Sequence, residues 1–230
     1  MNEKSENIFE IKELTKSYIQ AGTQIKILNS VNFFIQRGTV NIIAGRSGSG
    51  KSTLLNMLGG LDKQDSGKIL FTGDDTSFFN EQRMNKFRNE SIGFVFQFHH
   101  LLADFTEYEN ILMPLKIYKN DTPENIERVE KIITMLGIEH RKKHFPGQLS
   151  GGEQQRAAIA RALSANPAVL LADEPTGNLD NETAADVMNL FWKINSVYGT
   201  TVIIVTHDLS ISSNASHLYE IKNQDVIKIS

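Results

Sequence analysis

The chain has 230 residues, 40% of them apolar, and a formal net charge of −3, which suits one globular α/β domain with a subdomain and lacks the basic excess of most nucleic-acid binders. It has no cysteine, which excludes disulfides and thiolate metal sites. The opening MNEKSENIFEIKEL carries acids and no apolar core, so no secretory leader is expected, and no apolar run approaches the ~18 residues that span a bilayer.

Residues 8–43 read as short strands: Ile25 and Ile27 alternate with polar residues, as do Val31, Phe33 and Ile35, with Gly22 and Gly38 as punctuation. Residues 40–44 form a compact apolar strand feeding a Gly-rich loop, and residues 51–58 read as helix. From about residue 78 to 163 the pattern is mostly helical. Thr106 and Glu109 make a capping-box pattern. Thr122 and Pro123 open a helix with Ile126, Val129, Ile133 and Leu136 on one face and Gly137 at its end. Ser150 and Glu153 repeat the capping box. After Pro167 the chain returns to strand (169–173), helix (Val187, Leu190, Phe191 and Ile194 on one side) and strand (201–206). Parallel strands joined by crossover helices predict a sheet covered on both faces, with the helical block inserted between its halves.

The loop G-R-S-G-S-G-K-S at residues 45–52, between strand and helix, has the spacing of a phosphate-binding loop. Its glycines free backbone N–H groups to curl round phosphates, and the helix start adds partial positive charge. Lys51 is placed for the β- and γ-phosphate oxygens and the Ser52 hydroxyl for Mg²⁺. Asp173 ends an apolar strand, at the sheet edge where open α/β folds bind ligands, and is read as a Mg²⁺ ligand. Glu174, one residue on, is suited to activate the attacking water. Ser150-Gly151-Gly152-Glu153 would cap a helix without needing glycines, which weaken its first turn by up to ~1 kcal/mol. A second phosphate-facing helix start explains them better. The paired His99-His100 and the E-H-R-K-K-H stretch around His140 and His144 have no metal-ligand spacing and read as a solvated charged face.

With these motifs in this order, the chain resembles the ATP-binding subunits of ABC transporters over nearly its whole length. The resemblance implies an α/β P-loop NTPase fold: a RecA-like core with an N-terminal antiparallel β subdomain over residues 1–77 and 164–230, and an α-helical subdomain over about 78–163. It implies ATP and Mg²⁺ as ligands. Gly45, Arg46, Ser47, Gly48, Ser49, Gly50, Lys51, Ser52 and Thr53 would cradle the phosphates, and Tyr18 would stack on adenine. Gln97 would contact Mg²⁺, Asp180 would lie in the loop that communicates between sites, and His207 would contact the γ-phosphate. In that family Ser150, Gly151 and Gly152 of one copy close on the nucleotide of another, so an ATP-bound homodimer on integral membrane permease subunits is expected.

Within the MacB-like group, F-H-H-L-L at residues 98–102, with G-G-L-D at 59–62 and G-N-L-D at 177–180, is similar to the lipoprotein-releasing ATPases. These work peripherally on the cytoplasmic side of the inner membrane. Arg46 and Ala103 depart from that pattern, which has a small residue or proline at the first and proline at the second. An FtsE-like regulatory ATPase and a MacB-type exporter ATPase share the same ATP site and stay open as alternatives.

Overall fold

The computed structural model describes residues 6–230; the first five, within the acidic opening stretch, lie outside it. The chain starts with an antiparallel hairpin of two 14-residue strands, β1 (Asn7–Gln20) and β2 (Thr23–Gln36). The sequence predicted shorter strands. The length survives because register shifts around Leu14 and Lys16 absorb the breaks in alternation as bulges. Val31 and Ile35 are buried as expected, whereas Ile25, near the turn, is 40% exposed.

Strand β3 (Val40–Ala44) is buried throughout and leads into α1 (Lys51–Leu58). Strands β4 (Ser66–Phe71) and β5 (Asp74–Asp75) extend the hairpin into a sheet ordered β2-β1-β4-β5. Then follow α2 (Glu81–Glu90), β6 (Ile92–Val95), α3 (Glu107–Ile117), α4 (Pro123–Leu136) and α5 (Gly151–Leu163). The chain finishes with β7 (Val169–Asp173), α6 (Asn181–Tyr198), β8 (Thr201–Thr206), β9 (His217–Lys222) and β10 (Asp225–Lys228). The second sheet runs β10-β9-β3-β8-β7-β6 and is parallel except for the final hairpin. Strand β6 therefore belongs to this sheet although it lies inside the mostly helical span; its apolar Ile92 and Val95 are buried beside β7.

Alternation along the central strands decides both layers. Ile42, Leu170, Ala172, Val202 and Ile204 face a core shared with α3, α4, α5 and α6. Their neighbours Ile43, Leu171, Ile203 and Val205 face α1, α2 and the antiparallel sheet. Such a sheet, apolar on both faces, is what parallel strands with crossover helices require. The two sheets are stitched where Tyr219 Oη donates to Phe34 O at 2.8 Å and Asn29 N–H to Gln224 O at 2.9 Å. Register aligns Ala44 with Thr206, and Asp173 with Val205, so the loops after β3, β7 and β8 open on one edge.

The helix caps follow the sequence closely. Thr106–Glu109 and Ser150–Glu153 form complete capping boxes, and Thr122 and Gly137 cap α4 at either end. The charged stretch around His140 is not simply solvated. Arg141 Nε binds Glu153 Oε1 at 2.7 Å, Lys142 pairs with Glu130, and the His144 carbonyl accepts the Glu107 N–H. It packs because its charges meet opposite charges on α4 and α5.

Candidate nucleotide-binding site

Helix α1 begins without a side-chain cap: its N-cap is Gly50, at φ 103°. Only glycine takes that conformation without strain, and a Cβ there would lie 2.5 Å from Ile27 Cγ2. The first-turn N–H groups, unclaimed by any capping side chain and with no acid in that turn, suit an anion. Lys51 folds back along the loop, its Nζ 2.8 Å from Gly45 O and 3.2 Å from Arg46 O. Arg46, Ser47, Gly48 and Ser52 are exposed along the same edge, while Gly45, Ser49 and Thr53 are partly covered.

One acid meets this lysine. Lys51 Nζ is 3.3 Å from Glu174 Oε1, and Glu174 Oε2 is 2.9 Å from His207 Nδ1. Glu174 has φ 45°, a left-handed conformation uncommon outside glycine, and is held by its N–H to Val205 O at 2.9 Å. Strain of this kind persists where surrounding contacts over-determine it. Burial pushes the Asp173 carboxyl up; the Ser52 hydroxyl bond lowers it, Glu174 raises it and Lys51 lowers it. Asp173 Oδ1 is buried with no hydrogen-bond partner, as is Ser49 Oγ. A carboxylate oxygen and a hydroxyl side by side, one with an unused lone pair, match the oxygen donors Mg²⁺ prefers, so the residues present fit that ion.

Gln97 Nε2 donates to Asn178 Oδ1 at 3.4 Å, and Asn178 Nδ2 donates to Gln97 O at 3.2 Å. The glutamine is thus joined to the loop that ends at Asp180. Asp180 caps α6, accepting from Thr183 N–H at 3.0 Å and Thr183 Oγ1 at 2.7 Å. Tyr18 is 42% exposed on β1, and its hydroxyl donates to Asp62 Oδ2 at 2.6 Å.

The second Gly-rich helix start differs. Ser150 N–H donates to Glu153 Oε2 at 2.8 Å, and Glu153 N–H to Ser150 Oγ at 3.3 Å. Gly151 is exposed, but a Cβ on Gly152 would lie 2.6 Å from Thr183 Cγ2. One of the two glycines is therefore set by packing against α6 as well as by the N–H groups it frees. Sequence reasoning missed Asp62, Asn178, Thr183 and Arg141. Asp62, Asn178 and Arg141 act on residues that only the fold brings near, although the first two sit in the G-G-L-D and G-N-L-D motifs; Thr183 bonds Asp180 at the local cap spacing, and only the fold sets it against Gly152.

The family description "ABC transporter" matches residues 28–177. The lipoprotein-releasing system ATP-binding protein LolD of Idiomarina loihiensis is 44% identical over 212 residues, 92% of this chain and 93% of that protein. Among solved structures, the dimeric bacterial ABC transporter cassette MJ0796 superposes with a TM-score of 0.86 at 39% identity, covering 95% of this chain and 96% of its own. The same cassette in a dimeric post-hydrolysis state with ADP and Pi also gives 0.86, at 37% identity, with 96% and 99% covered. CbiO1 from Clostridium perfringens, part of the cbiONQ transporter complex, gives 0.86 at 32% identity, with 97% and 88% covered. The fold is the ABC ATPase fold that the motif order implied, and among the described residues no helix is long and apolar enough to cross a membrane. The chain belongs to the ABC transporter family, as one of its ATP-binding and ATP-hydrolysing subunits.

Proposed function

We propose that this subunit hydrolyses ATP in a head-to-tail homodimer and so drives integral membrane permease subunits of the LolC/LolE kind, releasing lipoproteins from the inner membrane for transfer to the outer membrane. It works peripherally, on the cytoplasmic side. The observation that carries the chemistry is the contact chain Lys51–Glu174–His207, at 3.3 and 2.9 Å, beside the uncapped start of α1.

Residues 45–53 hold the triphosphate through backbone N–H groups, and Lys51 turns its ammonium from the loop carbonyls and Glu174 to the β- and γ-oxygens. Glu174, released from that pair, orients the attacking water and takes its proton as the water oxygen bonds to the γ-phosphorus and the bridging oxygen leaves with ADP. His207 keeps the Glu174 carboxylate aimed and donates toward the γ-phosphate. Ser52 and Asp173, with Gln97 beside them, would hold Mg²⁺, which would supply positive charge against that of the triphosphate. Tyr18 carries the adenine. Ser150, Gly151 and Gly152 of the second copy supply the remaining N–H and hydroxyl donors, and Asp180 lies where the two copies meet. The dimer reading draws on the dimeric state of MJ0796, and the cargo on the likeness to LolD.

Glu174→Gln tests the chemistry. It should keep ATP, slow turnover by at least ~100-fold and elute as a dimer with ATP on size exclusion; an ATP-loaded variant that stays monomeric would count against the sandwich. Co-purification from membranes tests the partner. Permease subunits with periplasmic domains, together with ATP-dependent lipoprotein release from spheroplasts, are expected; a membrane partner that moves no cargo would replace this reading with the FtsE-like regulatory one.

A further inference from the structure

Tyr18 stands half in solvent, yet it is held on more sides than an exposed tyrosine needs. Its hydroxyl donates to Asp62 Oδ2 at 2.6 Å. Asp62 Oδ1 accepts Lys16 Nζ at 2.9 Å and the Lys63 N–H at 2.7 Å. Lys16 Nζ reaches Lys63 O at 2.6 Å as well, and lies 4.9 Å from the centroid of the Tyr18 ring. The lysine side chain is only 9% exposed and the aspartate 30%, so this network is shielded from the screening that weakens surface pairs.

Two consequences follow from this geometry. A ring tied at its hydroxyl cannot swing about χ1, and the Lys16 ammonium over one face opposes rotation about χ2, so a group stacking on it meets a held plane and less ordering entropy is lost on binding. One face of the ring is covered by the Lys16 ammonium in a cation–π contact, which leaves the opposite face for a ligand. The anchor, Asp62, lies just beyond the end of α1 and is tied back to it, its N–H 3.3 Å from Asn56 O. The distance from ring to loop is therefore set by one rigid body.

We infer that Asp62 and Lys16 are positioning residues for nucleotide selection: they fix Tyr18 as a one-faced platform at a set distance from the phosphate loop, so that purine nucleotides are favoured over bare polyphosphates. This rests on the reading of Tyr18 as the base platform. The carboxylate fixes where the ring lies, the ammonium holds its plane by covering one face, and neither touches the nucleotide.

Calorimetric titration of the full chain with ATP and with inorganic tripolyphosphate tests this. Tyr18→Phe and Asp62→Ala should each weaken ATP by about 3–10-fold while tripolyphosphate stays within about twofold. Equal weakening of both ligands would make Asp62 a merely structural residue, and unchanged ATP affinity in both variants would overturn the proposal. If Asp62→Ala fails to fold by circular dichroism, Tyr18→Phe decides alone, since it leaves the Lys16–Asp62 pair intact. Tyr18→Ala separates the layers. If it weakens ATP while Tyr18→Phe and Asp62→Ala do not, the platform stands and the anchor is wrong; if it binds ATP normally, the platform reading falls too.

Discussion

Helices α1 and α5 both begin on glycines, and the two starts are built in opposite ways. At α1 the cap is Gly50 in a left-handed conformation, no side chain serves the first N–H groups, and the nearest cation is folded onto the loop. At α5 the cap is Ser150 in extended conformation, locked in a reciprocal box with Glu153, which Arg141 clamps in turn. The first start offers its donors to any anion. The second has spent part of its donor set on its own carboxylate, keeping the N–H groups of Gly151 and Gly152 and a hydroxyl that already has a partner. A site of the first kind can hold a polyphosphate by itself. One of the second kind contributes when something else places the anion against it, which is what the dimer reading asks of it.

The largest expected effect breaks the first start. Lys51→Ala should weaken ATP by at least ~100-fold, because it removes the one buried ammonium at the loop; equilibrium dialysis with undiminished binding would contradict the role given to Lys51. Alanine at the two glycines should sharpen the contrast. Gly50→Ala places a residue at φ 103° against Ile27, and should cost about 1–3 kcal/mol along with phosphate binding. Gly152→Ala should cost a similar ~1–3 kcal/mol through the clash with Thr183, yet leave ATP binding to the isolated chain intact. Thr183→Ser removes the clashing methyl and keeps the hydroxyl bond to Asp180, so the double variant should recover the loss in urea unfolding; no recovery would mean that the glycine is there for another reason.

The smallest effect is a pH dependence beside α5. Burial pushes Glu153 up, but hydrogen bonds from Ser150 and Arg141 outweigh it and bring it down to about 2. Its stabilisation is thus present above its unfolded value of 4.5 and lost as pH falls toward about 2. Glu107 behaves oppositely: fully buried, with neither carboxylate oxygen hydrogen-bonded, it is pushed up to about 7 by burial and by the charge of Glu153. The folded state then binds the extra proton, so the Glu107 contribution is present below 4.5 and lost as pH rises through about 7. Glu107→Gln should flatten the fall in stability between about pH 4.5 and 7, as read from urea midpoints; an unchanged slope would mean that Glu107 is ionised throughout.

Legibility in the sequence followed the range of the interactions. Thr106 with Glu109, Ser150 with Glu153 and Gly137 behind Leu136 act within one turn, so the helix ends could be read directly. The central strands were legible because each is apolar on both faces. The shifted pairing of β1 and β2 was not, since bulges hide in a pattern that still alternates on either side of them. Nor was the α5 side of the charged stretch: Arg141 finds Glu153 across twelve residues, and only the packed helices show that the charges are partnered. In the candidate site, the loop at 45–52 and the acids at 173 and 174 announced themselves by spacing. The left-handed backbone of Glu174, the Asn178 side chain on Gln97 and the Asp62 anchor of Tyr18 did not, because each depends on segments brought together from far apart in the chain.

Strand β3, which delivers the loop at residue 45, lies between β8 and β9. Its neighbour on one side thus comes from the terminal hairpin at His217–Lys228. Without that hairpin, β3 would become the rim of its sheet, with a bare row of amides and carbonyls next to the phosphate loop. Such rims recruit strands from other molecules. Truncation before residue 217 should therefore lead to self-association through β3 and intermolecular β-structure, rather than to a monomer with a weakened site.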